Sequence, residues 1–139
     1  MKKEFTIESW PVDRWPNFSF NELRCTHSGL CHLDEGMMDN LQVMRNAVGS
    51  LRITSGYRDR THPIEAAKAQ PGSHFTGKAI DIACNGEPAL LILNTAWELE
   101  FTGFGVKQSG EHSKRFLHLD CIQPEDNFHA PRPGFWSYS

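Results

Sequence analysis

Ser73-His74-Phe75-Thr76-Gly77-Lys78-Ala79-Ile80-Asp81 is the stretch on which the reading of this chain turns. It opens just after the Pro71-Gly72 turn and runs into Ala79-Ile80-Asp81-Ile82-Ala83, which reads as a buried strand. A carboxylate between two isoleucines is costly unless it is paired, hydrogen-bonded or bound to a metal. A neutral imidazole and a carboxylate suit Zn²⁺, but a catalytic zinc takes three protein ligands and keeps a fourth position open. The third donor is expected in Phe116-Leu117-His118-Leu119-Asp120, a second apolar run. Residues two apart in a strand face the same side, so His118 and Asp120 point together into one space. The plain alternative for Asp81 is a salt bridge to Arg58 or a turn cap. For any one of the seven histidines it is an ordinary surface or hydrogen-bonded side chain. The combination of His74, Asp81, His118 and Asp120 favours the metal. Gly77 and Ala79 suit a place where backbone passes close to a ligand or a neighbouring strand.

Outward from this stretch the chain reads as one α+β domain over residues 1–139, with a small antiparallel sheet and flanking helices. Residues 1–20 carry Trp10, Pro11, Trp15, Pro16, Phe18 and Phe20 with no helical period. Tryptophan before proline, twice, predicts an extended segment laid across a core. A short helical turn is expected at Ser19 to Leu23. Asp34 is the expected N-cap of a helix carrying Met37, Met38, Leu41, Met44 and Val48, which Gly49 ends. Strands are expected at 51–54, 79–83, 103–106 and 116–122, with a hairpin loop at 107–114. A helical turn is expected within 64–69, and Pro88 suits the first turn of a helix reaching about Glu100. The tail, 123–139, has too many aromatics for a disordered end and is expected to pack back.

At 139 residues, with 39% hydrophobic and 22% charged residues, the chain can bury a core without staples. A net charge of −3 with scattered Lys and Arg gives no footprint for nucleic acid. No stretch approaches the roughly 20 apolar residues of a membrane span. Met1-Lys2-Lys3-Glu4-Phe5 lacks the apolar run of a secretory signal. The expectation is a monomer that works where it is made, or that something else carries across a membrane. Two disulfides are then not expected from the four cysteines. Cys25, His27, Cys31 and His32 have the donor types of a structural zinc knot, but their spacing is irregular, and ordinary thiols are the favoured reading. Cys84 and Cys121 read as small buried hydrophobes. A guanidinium at Arg58 can hold a carboxylate or a polarised carbonyl with two parallel hydrogen bonds, although most arginines are simply exposed.

Ser55-Gly56-Tyr57-Arg58, then Ser73-His74-x-x-Gly77-x-Ala79-x-Asp81, then His118-x-Asp120, in that order, resembles the M15 peptidases. These are zinc D-alanyl-D-alanine carboxypeptidases and related murein peptidases, which share a metal-site fold with the hedgehog signalling domain. The resemblance runs from about Phe18 to Cys121, and the insert Thr61 to Lys68 is similar to versions encoded by phages. It implies Zn²⁺ held by His74, Asp81 and His118, with Arg58 gripping the substrate. The implied reaction is hydrolysis of a peptide bond in a peptidoglycan stem or cross-link. Two departures stand out. Many members place an acidic base three residues before the last histidine, where this chain has Arg115. Others end in His-x-His, where this chain has His118-x-Asp120. Asp120 is therefore the expected base or proton shuttle, with Glu111 and His112 as alternatives. A register shifted by two would put Asp120 on the metal and free His118. The competing readings are a non-catalytic zinc-containing binding module and a virion assembly protein whose important metal sits at Cys25 and Cys31.

Overall fold

The computed structural model describes residues 2–139. In chain order the elements are β1 (Lys2–Phe5), α1 (Phe20–Leu23), β2 (Cys31–Asp34), α2 (Glu35–Val48), β3 (Arg52–Ser55) and α3 (Pro63–Ala66). After them come β4 (Ala79–Ala83), α4 (Gly86–Glu98), β5 (Gly103–Lys107), β6 (Phe116–Asp120) and β7 (Gly134–Ser137). Local chemistry sets several of these boundaries. The Ser19 hydroxyl accepts the Glu22 N–H while the Glu22 carboxylate accepts the Ser19 N–H, a reciprocal cap on α1. The Asp34 carboxylate accepts the Met37 N–H, and Gly49 follows the last turn of α2.

β1 and β2 form a separate antiparallel pair. The main sheet has the order β3-β4-β6-β5-β7. Its first four strands are antiparallel to their neighbours, as the alternating patterns predict, but β7 lies parallel to β5. The sheet is therefore mixed and one strand wider than expected, because the C-terminal tail packs back as a strand. The N-terminal segment also departs from expectation. After β1 it runs through successive turns to residue 17 rather than staying extended. Its aromatics are nonetheless core. Trp10 and Trp15 stand edge-on to each other and to Phe5, with ring centres 5.3–5.6 Å apart. Trp10 Nε1 donates to the Phe18 carbonyl and Trp15 Nε1 to Asp39 Oδ1, so neither indole N–H is stranded.

The period-two rule then sorts the two central strands. Ile80, Ile82, Leu117 and Leu119 join the buried cluster with Met38 and Leu41 of α2 and Ile92 and Ala96 of α4. Asp81, His118 and Asp120 alternate with them and face the other side. No helix of the described residues is long and apolar enough to cross a membrane.

Candidate metal centre

One cross-strand row carries the site. Ser55 of β3 lies opposite Asp81 of β4, Asp81 opposite His118 of β6, His118 opposite Gly105 of β5, and Gly105 opposite Trp136 of β7. A register irregularity between Ile53 and Ser55 re-aims the end of β3. His74 is added from a 3-10 turn, Ser73–Thr76. Gly77 closes that turn at φ 77°, the left-handed region, and a Cβ there would sit 2.7 Å from the His32 carbonyl. Only glycine brings the chain past β2 so tightly and straight into β4.

His74 Nε2 lies 3.2 Å, and His118 Nδ1 3.0 Å, from the same oxygen of Asp81. The other nitrogen of each ring is engaged. His74 Nδ1 is 2.8 Å from the Gly56 carbonyl, which can only accept, so that nitrogen carries the proton. His118 Nε2 is 2.8 Å from Asp120 Oδ2, which fixes the opposite tautomer. His74 Nε2, His118 Nδ1 and Asp81 Oδ1 thus direct lone pairs at one another in a nearly closed place. Such an arrangement could hold a cation, and the nitrogen–oxygen donor set is one that zinc takes. All three donor atoms lie within 4.8 Å of one another. The donor set contains His118 and not Asp120, so the register without the two-residue shift is the one that places three donors together.

Electrostatics agree with the geometry. Burial pushes His74 below the usual histidine range. Burial also opposes charge on His118, but hydrogen bonds to Asp120 and Asp81 outweigh it and hold the ring above that range. Burial likewise opposes charge on Asp81, and the attraction of His74 with the bond from His118 overcomes it, keeping the carboxyl far below the usual range. The upward shift of His118 favours a proton that a metal on Nδ1 would have to displace. Zinc affinity is therefore expected to rise with pH. Chelator competition across a pH series reads this, and a pH-independent affinity would contradict it.

Arg58 follows the Ser55-Gly56-Tyr57 turn, and its N–H meets the His74 carbonyl at 3.3 Å. Its guanidinium lies 3.7 Å from Asp81 Oδ2, so the ion pair weighed as a bland alternative is present beside the histidines as a long contact. A small cleft of about 130 Å³ opens there, lined by Arg58, Arg24, Ser55 and His62. A wider one of about 410 Å³ lies at Ser73, Lys68, His129, Arg132 and Trp136. A further concavity, about 480 Å³ among Trp10, Phe18 and Phe20, contains none of the donors.

Asp120 sits behind His118, fully buried. Arg132 donates to it twice, Nε to Oδ1 at 2.9 Å and Nη2 to Oδ2 at 2.8 Å. Glu111 and His112 are exposed around the turn before β6, and Arg115 donates to the Gly110 carbonyl. Trp136 packs its ring 5.4 Å from His118. It lies over Gly105, where a Cβ would come within 2.6 Å of its indole nitrogen. At Gly103 a Cβ would run into the Asp120 carboxylate. Arg132 and Trp136 were not among the expected site residues. Gly103 and Gly105, small on one face of one strand, were the available signal.

Among the described residues the only cluster of three or more metal donors is His74, Asp81 and His118, so Cys25, His27, Cys31 and His32 do not assemble a second site. All four cysteines are free thiols, and burial pushes Cys31 up to about 12.

The family model described as Peptidase M15 matches residues 16–120, most of the chain. The match takes in the three donors, Arg58 and Asp120, and stops short of Arg132 and Trp136. No curated protein matches the chain at a significant level.

Proposed function

Because the chain belongs to the M15 peptidase family, we propose that it is a zinc-dependent peptidase acting on the peptide stems or cross-links of peptidoglycan. The observation that carries the zinc reading is the convergence of lone pairs from His74, Asp81 and His118, with both outer ring nitrogens already tied. A zinc ion bound by these residues supplies Lewis acidity and an acidified water. Everything else falls to the side chains around it.

The roles follow from position. The Gly56 carbonyl holds His74 in the tautomer that offers Nε2. Arg58, beside Asp81 and only partly exposed, is placed to grip a substrate carbonyl or carboxylate and to steady the oxyanion that develops on it. Asp120 takes a role other than the base expected for it. Its oxygens are occupied by His118, Arg132 and the Ile122 N–H, and none of its surface is exposed. A carboxylate enclosed in this way orients His118 and raises its strength as a donor.

The two clefts offer Arg58 and Arg24 in one, and Lys68, His129 and the face of Trp136 in the other. That lining suits a peptide bearing free carboxylates, as murein stems do. A phage-encoded enzyme of lysis or local wall opening is the setting this reading fits. One observation favours a binding module instead: Arg115 stands where an acidic base is expected.

The test is metal analysis of the purified protein together with mass spectrometry of fragments released from intact peptidoglycan. One zinc per chain and new peptide termini are expected, and the fragment masses identify the bond cut. Bound zinc with no cleavage of any wall type would leave the binding module as the better account.

A further inference from the structure

We infer that Arg132 is a positioning residue for the metal centre, acting through Asp120 on His118, so that the C-terminal tail is part of the site. The inference rests on the zinc reading above.

Asp120 is a fully buried carboxylate, and such a charge persists only when its partners satisfy it. Arg132 does most of this. Its fork meets both oxygens, and a guanidinium in that geometry fixes the plane of a carboxylate as well as its charge. The Ile122 N–H shares Oδ1 at 3.3 Å. Oδ2 is shared between Arg132 Nη2 and His118 Nε2, each at 2.8 Å. The direction in which Oδ2 faces His118 is therefore set by the guanidinium on its other side.

The guanidinium is itself held. Its side chain is 4% exposed. Its carbon lies 5.1 Å from the ring centre of Phe128 and 5.1 Å from that of Trp136. Nη1 donates to the Pro131 carbonyl at 3.1 Å and, at longer range, to that of Ala130. Gly103 leaves room on β5 for the Asp120 carboxylate. Every group from Phe128 to His118 thus has its partner, and the chain of contacts ends on the His118 nitrogen opposite the one that faces Asp81 and His74.

Carboxylates that orient a metal-binding histidine are typically worth about 10–100-fold in metal affinity. If Arg132 acts through Asp120, its removal costs an effect of that size only while Asp120 is present. The experiment is a zinc-affinity measurement by competition with a chelator on wild type, Arg132→Met, Asp120→Asn and the double variant. Thermal melts of the metal-free forms run alongside.

A loss of about 10–100-fold in Arg132→Met, and no further loss when it is added to Asp120→Asn, supports the inference. Unchanged affinity in Arg132→Met overturns it, as does an equal loss in both backgrounds, which would make the residue a general support of the fold. Should Arg132→Met melt too low to assay, Arg132→Lys decides. It keeps charge and bulk but loses the two parallel bonds, so a few-fold loss confined to the Asp120 background is expected, and wild-type affinity sinks the idea. A wild type that binds no zinc would instead remove the metal reading, a result distinct from any of these.

Discussion

Asp81→Ala is expected to abolish the proposed zinc binding and peptidoglycan hydrolysis while leaving the sheet folded. Asp81 Oδ1 is the atom on which both histidine donors converge, and it is the only negative charge in the set. Two imidazoles alone form a much weaker site, so a loss on the order of 10³-fold in affinity is expected. Hydrolysis then falls to background at micromolar zinc.

The metal-free protein gives a second reading of the same variant. A carboxyl depressed in the folded state contributes stability above its unfolded pKa, and that contribution disappears as pH falls through the folded value. Asp81→Ala should therefore flatten the acid limb of the stability profile below about pH 4, where an unfolded aspartate titrates. Metal analysis and circular dichroism across pH check both statements. An Asp81→Ala protein that still carries one tightly held zinc would sink the assignment.

Gly56→Ala is expected to be a strongly destabilising single-methyl change. The added carbon would stand 2.5 Å from the Leu23 carbonyl oxygen, 2.8 Å from its Cα and 2.9 Å from its carbonyl carbon, all backbone atoms. A side chain can rotate out of the way, whereas these atoms are fixed by α1 and by the Tyr57 N–H bond to the Leu23 carbonyl. Relief requires α1 to separate from the end of β3, at a cost of about 3 kcal/mol or more, the upper end of overpacking penalties. That is a large share of a total stability of about 5–15 kcal/mol and corresponds to a fall of about 10 °C in melting temperature. The Gly56 carbonyl would move with the strand and release His74 Nδ1, so zinc affinity should fall along with stability. A melting temperature within about 2 °C of wild type would show that the contact relaxes without moving α1.

What the sequence made legible was local or periodic. Asp81 and His118 stood out because each interrupts an apolar strand, and the period of two placed Asp120 on the His118 face correctly. Asp34 and Ser19 announced their helices through side-chain oxygens three residues before the N–H groups they cap. What stayed hidden depended on distant pairings. Nothing local says that residues 134–137 lie parallel to 103–106, because a parallel pair needs no turn signature between its strands. The partner of Asp120 was hidden for the same reason, since the arginine that meets both its oxygens is brought in with that tail. Trp-Pro restrains only the residue before proline, and so the two dipeptides said little about the turns that fold the N-terminal aromatics inward.

The strand order has a further consequence, in the timing of assembly. β6 inserts between β4 and β5, both of which precede it in the chain, and β7 can add only beside β5. His118 therefore meets Asp81 only where the middle of the sheet is closed, and the grip of Arg132 on Asp120 needs the tail as well. A zinc ion held as proposed would have all three donors only on a nearly finished fold, and interactions made after the rate-limiting barrier slow the reverse reaction more than they hasten the forward one. Such a metal would act on this fold as a latch: it would do little to guide the chain home and much to keep it from leaving.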